Sequence, residues 1–294
     1  MMYKRMVVLL DGSRLAEVVF QYAQELAGRL GLDLELLHVA LPQEAEYLPM
    51  KLIYMDHMAQ VLCAGAEEIR SRAEGAHARR CIQAKGTVVT GDPADEILKY
   101  VRKNDNDLVM MATRGGSGIK RQWALGSVAY KVVHAAKIPI WLVPSELREE
   151  VVVDSLPRRR MVIPLSGTKA SEAVVPHALA IARQYGSQNE LVLVWADIRA
   201  ARFSEYQRLR KPMEDYLNRI AESIREAGFD ARVDILEGPP AKSIIEFVKN
   251  NPTQLVAMAT RGHGGFNRMV FGSVAESLIQ SIKVTPMLLV PGGR

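Results

Sequence analysis

The sequence is poor in the residues that build disulfide scaffolds and cysteine-based metal centres. Only two cysteines, Cys63 and Cys81, occur in 294 residues, and neither belongs to a metal-binding or redox spacing. This scarcity excludes a cysteine-based metal or redox site. We expect both thiols to be small core residues of a protein that works in a reducing compartment.

The chain also lacks long apolar runs and a strong excess of one charge. The apolar run from Met6 to Leu10 follows Lys4 and Arg5 but stops at Asp11, which makes it too short for a signal peptide. No run reaches the length of a transmembrane helix. The net charge of +5 is scattered and only 6% of residues are aromatic, which argues against a nucleic-acid surface. We therefore expect a cytoplasmic protein that binds neither nucleic acid nor membranes.

Motifs of the common nucleotide-dependent enzymes and hydrolases are missing. The chain contains no Walker A lysine loop, no HExxH metal motif and no GxGxxG after a strand. The segment Gly115–Ile119 fails the GxSxG pattern at its fifth position. The sequence places no general base and no pair of metal-binding carboxylates, which disfavours an enzyme that hydrolyses ATP or transfers groups from it. We expect no catalytic residues and no protein-held metal.

An internal repeat dominates what the sequence does contain. Met-Ala-Thr-Arg-Gly occurs at Met111–Gly115 and again at Met258–Gly262, and Gly-Ser-Val-Ala follows each copy. Early matches between the halves are offset by 155 residues and later ones by 147, so the second copy is eight residues shorter. We expect this shortening around residues 41–56, a segment predicted to be irregular because it contains Pro42 and Pro49.

Apolar runs alternate with helical periodicity in both copies. Met6–Leu10 is a continuous apolar run, typical of a strand buried on both faces, and apolar residues at helical spacing predict a helix over Leu15–Leu30. Ile138–Val143 is the predicted fifth strand, with Pro139 at its start or the strand at an edge. The alternation predicts α/β domains, each a parallel sheet with helices on both faces. The predicted domains are residues 1–147 and 158–294, with a linker at 148–157.

A glycine-rich loop between the fourth strand and the next helix is the candidate binding site in each copy. Its glycines allow close backbone approach, and free amides at a helix start form an anion site for which phosphate is the usual ligand. Ser127 and Ser273 are predicted to be the helix N-caps. If the first and fourth strands are neighbours, Asp11 lies beside this loop, where its carboxylate can accept hydrogen bonds from ribose hydroxyls. The constellation describes a nucleotide, although Asp11 can instead cap the following helix.

The sequence resembles the universal stress protein family in its tandem two-domain form, and the resemblance covers nearly the whole chain. The family's nucleotide-binding subgroup carries, after the fourth strand, Gly, two residues, Gly, nine residues, Gly and then Ser or Thr. The second half keeps nine residues between Gly262 and Gly272, with Ala259 in place of the leading glycine. The first half has one residue more between Gly115 and Gly126.

The two halves also differ at the family's strand-one aspartate. This residue is Asp11 in the first half and Ser166 in the second. Each half thus departs from the family pattern once, in a different place, so equal occupancy of the two sites is not expected. Because a displaced loop disturbs several amide–phosphate contacts, we expect the second half to depend mainly on phosphate and the first half more on the nucleoside.

The resemblance implies two flavodoxin-like (Rossmann-like) sheets of five parallel strands in the order 3-2-1-4-5, and a stress-response or regulatory role. It also implies binding of ATP or AMP, with or without Mg²⁺, and dimerisation through the last strand. We expect the two last strands to pair as an internal pseudo-dimer, alone or within a homodimer. The loops and the resemblance together predict these nucleotide-binding residues: Leu10, Asp11, Val39, Met111, Ala112, Arg114, Gly115, Gly116, Gly118, Gly126, Ser127, Val128, Leu165, Ser166, Val194, Met258, Ala259, Arg261, Gly262, Gly265, Gly272, Ser273 and Val274.

Several of these residues also have a simpler structural interpretation. Arg114 and Arg261 can be surface residues, and Met111 and Met258 can be core residues. His38 is expected to end the second strand and to be structural. For the whole chain, two other functions stay open: a nucleotide-free interaction scaffold that uses the fold for dimerisation, and an enzyme that hydrolyses ATP slowly.

Overall fold

The computed structural model describes residues 3–72, 81–115, 125–144, 159–185, 189–197, 203–260 and 271–292. The chain divides into two compact units, Met1–Glu146 and Leu147–Arg294, which we call the first and second half. Within the described residues, no helix is long and apolar enough to cross a membrane. Each half alternates strands and helices, as the alternating apolar patterns predict.

The first half is built from short buried strands and longer helices. Its strands are β1 (Arg5–Leu10), β2 (Asp33–Ala40), β3 (Ala84–Thr90), β4 (Leu108–Ala112) and β5 (Ile140–Val143). Its helices are α1 (Val19–Leu30), α2 (Leu48–Arg72), α3 (Pro93–Lys103) and α4 (Ser127–Ala135), and a 3-10 helix (Pro42–Tyr47) precedes α2. Every residue of β4 and β5 is buried, which explains their continuous apolar sequences.

The second half repeats this succession. Its strands are β6 (Arg159–Pro164), β7 (Asn189–Asp197), β8 (Asp230–Glu237), β9 (Leu255–Ala259) and β10 (Met287–Val290). Its helices are α5 (Lys169–Glu172), α6 (Val174–Tyr185), α7 (Phe203–Glu226), α8 (Pro240–Asn250) and α9 (Ser273–Ser281). Every residue of β9 and β10 is buried, as in their first-half counterparts.

Each half has the strand order 3-2-1-4-5 that the resemblance implies. In the first half the order is β3-β2-β1-β4-β5, and all neighbouring strands are parallel. In the second half the order is β8-β7-β6-β9-β10, again with parallel neighbours. The strand order reverses between β1 and β4 and between β6 and β9. These are the positions at which open α/β sheets bind ligands, outside the carboxyl ends of the strands.

Helix α1 begins four residues later than its apolar periodicity predicts. It starts at Val19 and not at Leu15, because the preceding residues form turns. The Ala16 amide donates to the Ser13 carbonyl at 3.0 Å, and the Val19 amide donates to the Ala16 carbonyl at 3.3 Å. Leu15 is 46% exposed, so its place in the apolar pattern is coincidental.

The segment predicted to be irregular is helical. The 3-10 helix Pro42–Tyr47 leads directly into α2. Pro42 stands at the start of a helix, where the missing proline amide would have no partner in any case. The Glu44 carboxylate accepts a hydrogen bond from the Leu41 amide at 2.9 Å and so closes this start. The prolines that suggested irregularity are the first residue of the 3-10 helix and the second residue of α2.

The shortening of the second half does not lie around residues 41–56, as expected, but after the long helix. Eleven residues separate the end of α2 from β3, whereas three separate the end of α7 from β8. The two long helices themselves have nearly equal lengths, 25 and 24 residues. The prediction was wrong because the prolines of residues 41–56 were taken as the sign of an insertion, whereas most of these residues belong to α2, which has its counterpart in α7.

Strand ends also differ from the predictions. β5 begins at Ile140, after Pro139, whose carbonyl accepts a hydrogen bond from the Val109 amide at 3.0 Å. Pro139 thus joins the hydrogen bonding at the start of β5 through its carbonyl, and its missing amide is not needed there. β2 runs on to Ala40, so His38 lies inside the strand and does not end it.

The two cysteines have different environments. Cys63 is partly buried, and its thiol donates to the Ile82 carbonyl at 3.3 Å. Cys81 is exposed, so the prediction that it is a core residue is wrong. Both thiols are free.

Candidate functional site

A cavity of about 450 Å³ lies at the carboxyl ends of β1 and β4 in the first half. Its walls come from the turn after β1, the end of β2, the start of α3 and both sides of the glycine loop. Ten of the residues predicted from the sequence line it together. They are Leu10, Asp11, Val39, Met111, Ala112, Arg114, Gly115, Gly126, Ser127 and Val128.

The turn after β1 holds the Asp11 carboxylate in place. Asp11 Oδ1 accepts hydrogen bonds from the Ser13 amide at 2.9 Å and from the Ser13 hydroxyl at 2.6 Å. Between them, Gly12 has φ of 83°, a left-handed conformation that favours glycine. Asp11 does not cap α1, because the N-cap of that helix is Val18. The alternative role of Asp11 as a helix cap is therefore wrong.

Asp11 and the glycine loop meet, as predicted for neighbouring first and fourth strands. β1 and β4 are hydrogen-bonded partners. A β-carbon placed on Gly115 would overlap Asp11 Oδ2, so only a residue without a side chain fits beside this carboxylate as it stands. A β-carbon on Gly126 would meet ordinary contacts only, the nearest at 3.8 Å from the Thr113 carbonyl oxygen. Packing alone thus requires glycine at the first position and not at the second.

Helix α4 begins at Ser127 with Gly126 as its N-cap, so the predicted serine cap is wrong. Gly126 is extended, its amide donates to the Thr113 carbonyl at 2.8 Å, and its carbonyl accepts from the Tyr130 amide at 2.9 Å. The amides of residues 127–129 precede this first helical bond and have no partner within the helix. These three residues line the cavity, so the positive end of the helix dipole faces it.

Five polar residues that line the cavity were not predicted as site residues: Ser13, His38, Glu44, Lys51 and Thr113. Three of them, His38, Glu44 and Lys51, form a cluster in which Lys51 contacts the other two. His38 Nδ1 lies 2.9 Å from the Leu10 carbonyl oxygen, and His38 Nε2 lies 3.1 Å from Lys51 Nζ. Lys51 Nζ also pairs with Glu44 Oε2 at 2.9 Å. A histidine within an apolar strand was the only sequence signal available. Glu44 and Lys51 gave none, because their segment was expected to be irregular.

Burial and mutual contact set the charges of this cluster. His38 is only 5% exposed, and burial lowers the pKa of its imidazole below the ordinary 6.5. The hydrogen bond to Leu10 opposes this shift in pKa, and the Lys51 ammonium adds to it. The hydrogen bond from Lys51 lowers the pKa of the Glu44 carboxyl. At neutral pH the ring is therefore neutral, carries its proton on Nδ1 and accepts a hydrogen bond from Lys51 at Nε2.

The second half closes its glycine loop in the same way. The Gly272 amide donates to the Thr260 carbonyl at 2.8 Å. Gly272 is also the N-cap of α9, so the prediction that Ser273 is the cap is wrong as well. The helix start after the fourth strand therefore has one geometry in both halves.

The turn after the first strand differs between the halves. Ser166 shares a hydrogen bond of 2.9 Å with the Thr168 hydroxyl, a neutral pair where the first half has a carboxylate. A β-carbon on Gly167 would lie 2.7 Å from the terminal methyl group of Met213. Among the described residues, no atom lies within 4 Å of such a β-carbon on Gly12. Met213 thus fills, in the second half, space that is open in the first.

The residues predicted in the second half lie at the ends of β6, β7 and β9 and at the start of α9. Leu165, Val194, Met258 and Ala259 are buried, Ser166, Gly272 and Val274 are partly buried, and Ser273 is exposed. The predicted residues Gly116, Gly118, Arg261, Gly262 and Gly265 lie outside the described residues.

The first-half cavity offers a ligand amides, carboxylates, the Lys51 ammonium group and the Arg114 guanidinium group. Within the described ranges, no cluster of three or more His, Cys, Asp or Glu side chains could hold a metal ion. The amides at the start of α4 suit an anionic group. Asp11 and the Lys51–Glu44 pair suit polar atoms that donate and accept hydrogen bonds.

Comparison with known proteins identifies the family. The sequence model of the universal stress protein family matches residues 2–144 and again residues 157–291. A universal stress protein of Mycobacterium tuberculosis (strain H37Rv) is 22% identical over 287 residues, which cover 95% of this chain and 94% of the relative. A universal stress protein of Methanocaldococcus jannaschii is 28% identical over 139 residues, covering 45% of this chain and 81% of the relative.

Solved structures show the same fold. The crystal structure of a universal stress protein from Archaeoglobus fulgidus matches with a TM-score of 0.65 at 22% identity, and the match covers 98% of each chain. This likeness supports the architecture, and the double match of the family model supports the membership of both halves. The chain belongs to the universal stress protein family, with one family domain in each half.

Proposed function

We propose that the first half binds an adenine nucleotide, ATP or AMP, and that the protein serves a regulatory or stress-response role without a defined reaction. One observation carries the proposal: the start of α4 and the Asp11 carboxylate line the same cavity. Helix-start amides suit a phosphate, and a carboxylate suits the hydroxyl groups of a ribose. Membership of the universal stress protein family supports the regulatory role.

The size and lining of the cavity support a ligand of nucleotide dimensions. Its volume of about 450 Å³ lies within the roughly 300–1,000 Å³ of small-molecule sites. Leu10, Val39, Pro93 and Ile97 contribute apolar side chains to its walls. Such sites combine apolar surface with a few placed polar groups, which suits a flat base joined to a charged phosphate.

We infer that the nucleotide is bound and not turned over. Asp11 Oδ1 already accepts two hydrogen bonds from Ser13, and both ring nitrogens of His38 are engaged. In the proposed complex the other oxygen of Asp11 faces the ribose hydroxyls, so neither group is placed as a general base beside the phosphates. We expect an ATP turnover rate far below the ~1 per second of ordinary enzymes. A rate of that size that is lost in the variant Ser127→Asp would contradict this inference.

The first experiment asks which small molecule accompanies the protein. Mass spectrometry of the small molecules released from purified, denatured protein is expected to detect ATP or AMP. Calorimetry with ATP, AMP and adenosine then measures binding to the full chain. If none of these compounds is recovered or bound, the proposed function is wrong.

A charge placed at the start of α4 tests the phosphate contact. Ser127→Asp puts a carboxylate among the amides of residues 127–129, where it suits the helix dipole but repels a phosphate. We expect ATP affinity to fall at least tenfold while the fold is retained. Ser127→Asn, which has the same size without the charge, is the matched control. Equal ATP affinity in the two variants would show that the phosphate does not lie at α4.

A further inference from the structure

The ammonium group of Lys51 has one N–H donor more than it has partners among the described residues of the first-half cavity. An ammonium group has three N–H donors, and Lys51 directs one to Glu44 and one to His38. Within the described part of the chain, Lys51 makes no other hydrogen bond or ion pair. Its side chain is 22% exposed and lines the cavity. One donor is therefore left for a ligand.

His38 and Glu44 hold this ammonium group in position. His38 Nδ1 is tied to the Leu10 carbonyl at 2.9 Å, which leaves Nε2 to accept from Lys51. Glu44 is tied to the Leu41 amide at 2.9 Å, at the start of the 3-10 helix. Because both partners are themselves bound to backbone, the flexible lysine chain is restrained at its charged end. His38 is thus a positioning residue for Lys51.

The cluster lies on the far side of β1 from the phosphate-binding amides. β2 pairs with one edge of β1 and β4 pairs with the other. Two strand spacings therefore separate β2 from β4, about 10 Å in all. His38 belongs to β2, and the amides at the start of α4 follow β4. A nucleotide whose phosphate lies at α4 extends its nucleoside toward Lys51.

The charge of the cluster disfavours a second phosphate at this end. Lys51 is already paired with the Glu44 carboxylate, and Asp11 adds another negative group in the same cavity. The other cation that lines the cavity, Arg114, follows β4, on the side of the α4 amides. An anionic ligand group beside Lys51 would therefore meet an ammonium group whose charge Glu44 already balances. A neutral group with hydrogen-bonding edges, such as a nucleobase, fits better.

We propose that Lys51 and Glu44 read the edge of the base and make the site selective for adenine. Lys51 Nζ donates to an adenine ring nitrogen, and the Glu44 carboxylate accepts from the exocyclic amino group. Adenine presents an acceptor nitrogen beside an amino donor, whereas guanine presents a carbonyl acceptor where adenine has its amino group. A carboxylate opposite that carbonyl would be repulsive. This inference rests on the proposed nucleotide function.

Calorimetry on the full chain tests it with ATP, GTP, purine riboside triphosphate and tripolyphosphate. Purine riboside triphosphate lacks the amino group, and tripolyphosphate lacks the nucleoside. We expect the wild-type protein to bind ATP at least tenfold more tightly than GTP. Lys51→Met should lower ATP affinity about tenfold or more, the effect of one lost charge-assisted hydrogen bond. It should leave tripolyphosphate affinity unchanged, and Lys51→Arg should restore part of the ATP affinity.

The variants separate base recognition from general charge effects. Glu44→Gln adds an amide donor that can meet the guanine carbonyl, so the preference for ATP over GTP and over purine riboside triphosphate should fall. Lys99→Met is the control, because Lys99 is 66% exposed on α3 and pairs with Glu96. Circular dichroism checks that each variant is folded. If Lys51→Met does not fold, the change in the preference for ATP over GTP in Glu44→Gln decides the question alone.

Three results have distinct meanings. If Lys51→Met binds ATP as the wild-type protein does, Lys51 does not contact the base and the inference is overturned. An equal loss of ATP and tripolyphosphate affinity would also overturn it, because Lys51 would then act on phosphate. If the wild-type protein binds none of the four compounds, the proposed nucleotide function fails and this inference fails with it.

Discussion

Asp11 and Gly115 come from different strands, yet each restricts what the other position can hold. The carboxylate is held by Ser13, and the loop after β4 passes directly over it. A side chain at Gly115 would push the carboxylate out of its place. Glycine at this position is therefore required by close approach and not by a special backbone conformation.

The variant Gly115→Ala tests whether Asp11 contacts the nucleoside. The added methyl group would displace the carboxylate, so adenosine affinity should fall about fivefold, equivalent to one hydrogen bond of about 1 kcal/mol. Gly126→Ala is the control, because its methyl group meets no contact nearer than 3.8 Å. Both affinities can be measured by calorimetry. An unchanged adenosine affinity in Gly115→Ala would remove Asp11 from the nucleoside contact.

The burial of His38 predicts a loss of stability on acidification. Burial lowers the pKa of the folded ring below the ordinary 6.5, while the unfolded chain keeps the ordinary value. As the pH falls below about 6.5, the unfolded chain binds more protons than the folded chain, so the free energy of unfolding falls until the folded ring titrates too. Lys51, Glu44 and Asp11 are the charged groups that act on this ring. Urea denaturation at several pH values measures the effect.

His38→Gln isolates the contribution of this ring. Gln has a donor and an acceptor but does not titrate, so part of the pH dependence below 6.5 should disappear. Burial also lowers the pKa of His177, which supplies a residual slope in both proteins. The same slope in wild-type protein and variant would show that His38 does not titrate differently on folding.

At the scale of elements, the close contact of α1 and α2 depends on a glycine inside a helix. A β-carbon on Gly28 would lie 2.6 Å from the Ala66 carbonyl oxygen and 2.8 Å from the Ile69 β-carbon. Both neighbours belong to α2, and the first is backbone that cannot move alone. The small residue lets the two helices approach closely.

Gly28→Ala is expected to destabilise the protein although alanine forms helices better than glycine. Propensity favours alanine by about 1 kcal/mol, but overpacking costs about 1–3 kcal/mol or more where backbone must shift. We expect a net loss in the free energy of unfolding. Gln21→Ala, an exposed change in the same helix, is the control and should have little effect. Urea denaturation of the full chains compares them, and a more stable Gly28→Ala would contradict the packing argument.

Element boundaries were predictable where one physical effect dominates. Strands such as β4 are buried at every residue, so apolar composition alone locates them. The start of α1 and the helix at Pro42–Tyr47 depend on turns and on a side-chain cap from Glu44. Such local hydrogen bonds compete with periodicity and are not visible in it.

At the scale of the whole molecule, the two family domains differ at their candidate sites. The second half keeps the helix start after its fourth strand, but it has the Ser166–Thr168 pair in place of a carboxylate. Met213 also covers Gly167. These contacts support the expectation that the second half depends mainly on phosphate.

A variant of the second half tests this asymmetry in the full chain. Ser273→Asp should repel phosphate and lower the number of ATP molecules bound per chain. It should leave adenosine binding unchanged, because we expect the first half to depend more on the nucleoside and the second half mainly on phosphate. Ser273→Asn is the control without charge, and calorimetry gives both stoichiometries. If adenosine binding changes, or the ATP stoichiometry does not, the assignment of the two halves is wrong.

Other expectations for the whole chain stay predictions. They are the pairing of the two last strands as a pseudo-dimer, a homodimer, a cytoplasmic location and the presence of Mg²⁺ with the nucleotide. Light scattering of the purified chain tests the homodimer directly. Adding Mg²⁺ to the calorimetry with ATP tests the metal.

The sequence by itself determined the tandem repeat, the α/β class and ten residues of the first-half cavity. The repeat and the class follow from repeated glycines and apolar runs, which leave a pattern in the chain, and the cavity residues follow from the glycine loops together with the family resemblance. Only the tertiary structure decided that glycines and not serines cap α4 and α9, and that His38, Glu44 and Lys51 join the cavity. His38 meets Lys51 because the 3-10 helix turns the chain back over the end of β2. Contacts of this kind depend on the path of the backbone in space, and no spacing in the sequence records that path.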